Sequence, residues 1–313
     1  MDACISWLME GDPAIRWQTL RDLLDAPQEE WRAEQARTLE TGWGARLLAE
    51  QQPDGGWGGG AYSPKWISTT YTLLTLTGIG IPRTCAAGRR GAAQALAQLL
   101  GPVRDTAFEN NLARLDRCIV GMLLHYCVYF GMEDERIEAI ADNLLNERMP
   151  DQAWNCRRGR RPEPYHSSVH TTINVLEGVR EYVEWDAAPR RAEMLAAEQA
   201  AREFLLVHRL FRSHRSGEII RPEFTLLPYP PRWHYDILRA LEHFARSGAA
   251  RDPRLQDAVD ILKSRRRTDG TWSIQHRYGG KVFFWMEPGG KPSRWNTLRA
   301  LRVLRWWEGT APA

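Results

Sequence analysis

The stretch Leu47-Leu48-Ala49-Glu50-Gln51-Gln52-Pro53-Asp54-Gly55-Gly56-Trp57-Gly58 has two relatives further along the chain. They are Leu144-Leu145-Asn146-Glu147-Arg148-Met149-Pro150-Asp151-Gln152-Ala153-Trp154 and Ile261-Leu262-Lys263-Ser264-Arg265-Arg266-Arg267-Thr268-Asp269-Gly270-Thr271-Trp272. Each reads as the end of a helix followed by a turn carrying Asp-x-x-Trp. Successive copies lie about two helical-repeat lengths apart, so degenerate copies are expected between them. Leu99-Leu100-Gly101 ends one such helix, and Phe204-Leu205-Leu206 runs into Ser216-Gly217-Glu218-Ile219-Ile220.

The segments ahead of the turns carry one apolar stripe. Ile137, Ile140, Ala141, Leu144 and Leu145 follow helical spacing, as do Leu255, Ala258, Val259 and Leu262, which marks surface helices with one buried face. The segments after the turns (66–77, 115–130, 167–182, 233–244 and 295–307) are more apolar around the circumference. In 115–130, Leu115, Ile119, Met122 and Tyr126 form one stripe while Val120, Leu124 and Cys127 cover the other faces, so that helix must be buried all round. An N-terminal pair (12–24, then 31–50) brings the total to about six helical hairpins. The expected fold is therefore all-α: a single (α/α)6 toroid over residues 1–313, with a short tail at 309–313. Its inner helices would point their N-terminal ends at one mouth of a central cavity.

Composition narrows the function classes. The 313 residues are 43% hydrophobic and 26% charged with a net charge of only +3, an ordinary globular balance that makes no electrostatic case for nucleic acid. Lysine is confined to Lys65, Lys263, Lys281 and Lys291, and the arginine runs Arg157-Arg158-Gly159-Arg160-Arg161 and Arg265-Arg266-Arg267 read as solvated outer turns. Five irregularly spaced cysteines and a short acidic N-terminus point to free thiols in a reducing cytoplasm. No apolar run approaches the roughly 20 residues of a membrane span.

The Gln51-Gln52-Pro53-Asp54-Gly55-Gly56-Trp57 segment and its relatives resemble the Gln-Trp repeats of the terpenoid cyclase and protein prenyltransferase superfamily. In that superfamily the motif is structural: glycines allow the turn and the tryptophan plugs a seam between outer helices. Squalene-type cyclases carry a second toroid and an Asp-x-Asp-Asp motif, and neither is found here. Prenyltransferase β-type chains are single toroids that hold zinc with an Asp-x-Cys pair and a histidine one repeat later. By that resemblance Asp116, Cys118 and His170 would be zinc ligands, with His166 as the alternate histidine. A zinc site with an open fourth position is catalytic in character, and in the family it presents a thiolate acceptor to a prenyl diphosphate. The basic residues that the family places ahead of its Asp are replaced by Asn110 and Ala113, leaving Arg114 and Lys65 to supply charge. The family also uses a helical partner subunit.

Read for themselves, Asp116 and Cys118 can converge only with Asp116 at the helix cap and Cys118 in the first turn, where the helix terminus favours a thiolate. Asp116 also reads as a plain N-cap and Cys118 as a core residue. At the fifth inner helix His234 and Asp236 are candidates for acid or base work, with capping the simpler reading for Asp236 and an exposed loop for His234. Trp66, Tyr165, Trp233, Tyr235, Trp285 and Trp295 would crowd the same mouth as aromatic walls for an isoprenoid-type apolar substrate. Four rivals remain. A metal-free terpenoid cyclase would use Asp116 or Asp236 as proton donor. A lanthionine-cyclase-like site would need Cys156 to meet Cys118, and a toroidal glycoside hydrolase or lyase would need a cavity carboxylate pair. A non-catalytic scaffold would have its cavity plugged by side chains.

Overall fold

The computed structural model describes residues 3–102, 106–156 and 164–309, so the arginine run at 157–161 and the tail beyond residue 309 lie outside the described residues. Among those described, fourteen α-helices follow one another: α1 (Ala3–Met9), α2 (Pro13–Asp22), α3 (Gln28–Ala36), α4 (Gly42–Ala49), α5 (Thr69–Ile79), α6 (Ala86–Leu100) and α7 (Thr106–Arg114). The second half adds α8 (Arg117–Tyr129), α9 (Arg136–Asn146), α10 (Val169–Glu184), α11 (Arg191–Val207), α12 (Ile237–Arg246), α13 (Gln256–Ser264) and α14 (Arg294–Glu308). An antiparallel pair of two-residue strands, Trp272–Ser273 with Pro292–Ser293, joins the last two helices.

Helices α2, α5, α8, α10, α12 and α14 form the inner ring, which closes where α14 packs on α2. Helices α1, α4, α6, α9, α11 and α13 form the outer ring, with α3 and α7 as additions. This is the all-α toroid the repeats imply. No helix among the described residues is long and apolar enough to cross a membrane.

The three tryptophans hold equivalent places. The indole N–H of Trp57, Trp154 and Trp272 donates to the carbonyl of Leu47, Leu144 and Leu262 respectively, at 2.8 Å each time. The backbone N–H of the same residues donates to the hydroxyls of Thr69, Thr172 and Thr297 in the next inner helix, at 3.0, 3.3 and 3.0 Å. Each tryptophan, wholly buried, thus ties the end of an outer helix to the start of the following inner one.

Helix α8 is buried on nearly all its faces, as its sequence demands. It meets α10 where two glycines face each other: a methyl group on Gly178 would run into the Gly121 carbonyl.

The expectation of one helix over residues 31–50 is corrected. The chain forms α3, a 3-10 turn at Arg37–Leu39 and then α4. Gly42 has φ +74°, and the Asp12 carboxylate that caps α2 also accepts the Trp43 N–H at 2.8 Å. That bond and the left-handed glycine turn the chain back along α2, which a continuous helix would not do.

The Asp-x-x-Trp turns need a left-handed residue after the Asp. Gly55 and Gly270 supply it at φ +89° and +84°, whereas the middle copy uses Gln152 at +69°. A Cβ at Gly270 would meet nothing closer than the Arg266 side chain, at 3.5 Å, so Gly270→Ala isolates the backbone penalty. It should cost about 1–2 kcal/mol in urea unfolding, while Gln152→Gly should stabilise by up to about 1 kcal/mol.

Candidate functional site

Among the described residues, the N-terminal ends of α10, α12 and α14 are covered. A loop over residues 226–236 lies across them and is stitched down: Asn174 donates to the Trp233 carbonyl at 2.8 Å, Asn296 to the Leu227 carbonyl at 2.9 Å, and Arg239 to the His234 carbonyl at 2.7 Å. Trp66 joins this plug through its indole N–H, 2.8 Å from the Gly279 carbonyl, and borders a pocket of only about 30 Å³. Lys65 places its ammonium 5.4–5.5 Å from the rings of Tyr62, Trp66 and Trp233. Tyr235 is buried with its hydroxyl on the Leu210 carbonyl. Arg114, Tyr165 and His166 are exposed, as is Trp285, which lies under Arg277. Of these four only Trp285 borders a cavity, the same small pocket as Trp66.

The two candidate histidines belong to the plug. His170, in the first turn of α10, accepts the Tyr235 N–H at its Nδ1 at 2.9 Å and packs edge-on against Phe224 and Trp233. Burial, with Arg221 and Arg239 nearby, pushes its pKa down to about 4. His234 is half-buried instead of lying in an exposed loop, stacked face to face on Tyr278 with ring centroids 3.5 Å apart and on Trp233 at 3.8 Å. Burial and then His170 push its pKa down to about 3. Both rings are therefore neutral at pH 7. Asp236 is wholly buried and caps α12, accepting the Arg239 N–H at 2.9 Å. Burial raises its pKa to about 6, and its Oδ2 has no protein partner.

Asp116 stands at the cap position of α8, although its side chain makes no capping hydrogen bond. Cys118 lies beside Cys156 with the sulfurs 3.5 Å apart, and the Thr171 hydroxyl sits 3.3 Å from the Cys156 sulfur. The expected thiolate at Cys118 is not favoured. Its contact with Cys156 and its burial push the Cys118 thiol up, and Asp116 adds to this. Cys156 is instead lowered to about 7, chiefly by its contact with Cys118. Among the described residues no three His, Cys, Asp or Glu side chains are gathered to hold a metal. With His170 bonded to Tyr235 and Cys118 turned to Cys156, the donor set implied for zinc does not fit.

The open space lies at the other end. A cavity of about 1420 Å³ is lined by the C-terminal halves of the inner helices and floored by Tyr229, Pro230, Pro231, Arg232 and Trp295. Of the residues singled out from sequence, Trp295 alone borders it. Its walls carry eleven arginines against six carboxylates, interleaved with aromatic rings such as Trp17, Trp31 and Trp306. The carboxylates are firmly paired. Arg239 grips both oxygens of Glu177 at 2.6 Å, and Arg299 holds Glu242 at 2.6 Å. Arg246 and Arg83 hold Glu181 at 2.5 and 2.7 Å. Burial favours protonation of Glu181, but Arg246, His125 and Arg83 outweigh it and hold its pKa down to about 2. The same balance keeps Glu177 below the usual range through Arg239. These groups stay ionised and are not proton donors at neutral pH.

Arg232 differs from the cavity's other arginines in combining burial with the lack of a carboxylate; Arg32 and Arg251 also lack one among the described residues but are exposed. Among the described residues no carboxylate pairs with it, and its titratable neighbours are the phenols of Tyr229 and Tyr71, which burial keeps neutral. Burial pushes its pKa down to about 10. It also holds a left-handed backbone at φ +58°, unusual for a non-glycine residue. Sequence reading passed it over because a lone arginine between Pro231 and Trp233 carries no motif.

The stacked histidines predict an acid limit. Each has a folded pKa below its unfolded value of about 6.5, so folding favours the neutral ring. That contribution is complete above pH 6.5 and is lost as pH falls towards 4. His234→Phe keeps the stack and removes the proton site. The wild type minus variant difference in unfolding free energy should therefore shrink as pH drops from 7 to 4, measured by urea titration at each pH; a constant difference would exclude the effect.

No protein-family model matches the sequence, and no curated protein matches it. Among solved structures the chain is similar to a glycosyl hydrolase family 88 protein from Bacteroides vulgatus, at 12% sequence identity and a TM-score of 0.48, with 88% of this chain and 84% of that chain covered.

Proposed function

We propose that the toroid takes a small molecule with an anionic head into the cavity at the C-terminal ends of its inner helices, and that prenyl diphosphates are the ligand class. Arg232 carries this reading. A cation without a carboxylate partner, at the floor of a cavity already rich in arginine, is left for a ligand to neutralise. The aromatic walls suit an apolar body attached to that head, and the volume exceeds what a small ligand needs. The resemblance to the prenyltransferase superfamily supports the choice of a diphosphate. Any chemistry here is electrostatic: arginines stabilise negative charge as it gathers on a departing diphosphate. The residues considered for zinc, Asp116, Cys118 and His170, do not border this cavity, and an open cavity does not suit a plugged scaffold.

A metal-free cyclase is the second reading, favoured by the raised pKa and unpartnered oxygen of Asp236. Asp236 does not itself line the cavity but stands beside Arg239 and Arg299, which do. Asp236→Asn preserves a capping side chain and would abolish such cyclisation while leaving ligand binding intact.

Titration calorimetry with geranyl diphosphate, inorganic pyrophosphate and geraniol tests the first reading. Geranyl diphosphate should bind most tightly, and Arg232→Gln should weaken both anions by about tenfold or more without lowering the thermal midpoint. Wild-type protein that binds none of the three would overturn the reading. Equal binding to wild type and Arg232→Gln would remove Arg232 from it.

A further inference from the structure

Cys118 and Cys156 take no part in the cavity. They lie at the opposite end of α8, about 16 Å from Tyr129 at the cavity wall by helical rise. We propose that they are a dithiol site which a hydroperoxide converts to an intramolecular disulfide, tying the turn after Trp154 to the first turn of α8. The two sulfurs are 3.5 Å apart and need to close by only about 1.5 Å to reach bonding distance. Three contacts favour their meeting. The Trp154 indole and backbone bonds hold the turn against α9 and α10, and the Thr171 hydroxyl pins the Cys156 sulfur. Cys118 is half-buried, leaving a small oxidant an approach, whereas Cys4, Cys85 and Cys127 are buried elsewhere.

The chemistry balances. One sulfur, as thiolate, attacks a peroxide oxygen. The O–O bond breaks, leaving a sulfenic acid on that sulfur and hydroxide, which takes up a proton to become water. The second sulfur then attacks the first, the S–O bond breaks, and a second water leaves with the remaining thiol proton. The two thiols lose two electrons and two protons, and hydrogen peroxide is reduced to two waters.

The test uses the full chain, dialysed against a chelator so that no metal masks the thiols, then treated with hydrogen peroxide. After alkylation, the protein is digested without reductant and the peptides are weighed. The expected product joins the Cys118 peptide to the Cys156 peptide and lacks two hydrogens, with Cys4, Cys85 and Cys127 recovered as alkylated thiols. The oxidised wild type should melt at higher temperature, and dithiothreitol should reverse the shift. Cys118→Ser and Cys156→Ser should each abolish both the cross-link and the shift. Separate alkylation or over-oxidation of Cys118 and Cys156 in the wild type, or a cross-link to any other cysteine, would overturn the proposal.

Discussion

The ring depends on one hydrogen bond made three times, from a buried indole N–H to a leucine carbonyl two residues before the end of an outer helix. The bond answers two needs at once. A carbonyl in the last turn of a helix has no regular i+4 partner, those of Leu47 and Leu262 taking only a 3.2 Å bond from the cap N–H, and a buried indole must find an acceptor. The same tryptophan then passes its backbone N–H to a threonine in the next inner helix. Outer and inner rings are thereby keyed to each other at fixed height, and every inner helix runs in the same direction. This common direction decides where charge collects.

Six inner helices pointing the same way bring six C-terminal ends together around the cavity, each with partial negative charge. Arginines there have a structural reason to be present: Arg21, Arg246 and Arg305 stand in last turns, and Arg239, Arg83 and Arg299 pair with Glu177, Glu181 and Glu242. Arginine enrichment by itself therefore says little about a ligand. Arg232 escapes that explanation, because it sits on a loop at the floor and answers neither a helix end nor a carboxylate. The argument for an anionic ligand rests on it for that reason.

The toroid was legible because its signals are local: a turn with Asp-x-x-Trp and a change in how much of a helix is apolar. The position of the cavity was not. It depends on loops of no regular pattern, 226–236 and the segment carrying Tyr278, folding over the N-terminal face and stacking His234 between aromatic rings. Period and composition do not report such stacking. Asp116, Cys118 and His170 do head inner helices as their spacing implies, but heading a helix does not set the direction of a side chain. Cys118 found Cys156 because the Trp154 turn delivers that residue to Thr171, a long-range consequence of the repeat. The charged end of the ring was partly readable, since Arg299, Arg302 and Arg305 recur every third position on a helix that must otherwise be buried.

The plug and the cavity are two sides of one short segment. Arg232 faces the cavity floor, while the next two residues, Trp233 and His234, make the stack on the far side. The left-handed turn at Arg232 puts consecutive side chains on opposite faces of the loop, and Arg232 still lies 5.5 Å from the Trp66 ring that the plug encloses. Neutral rings at His170 and His234 matter to both sides. A proton on His170 would add to the charges of Arg221 and Arg239, and one on His234 to those of Arg239 and Lys65. The low histidine pKa values thus follow from burial in the plug and from Arg239, a residue of the cavity wall, while Arg232 answers to its own burial beside Tyr229 and Tyr71.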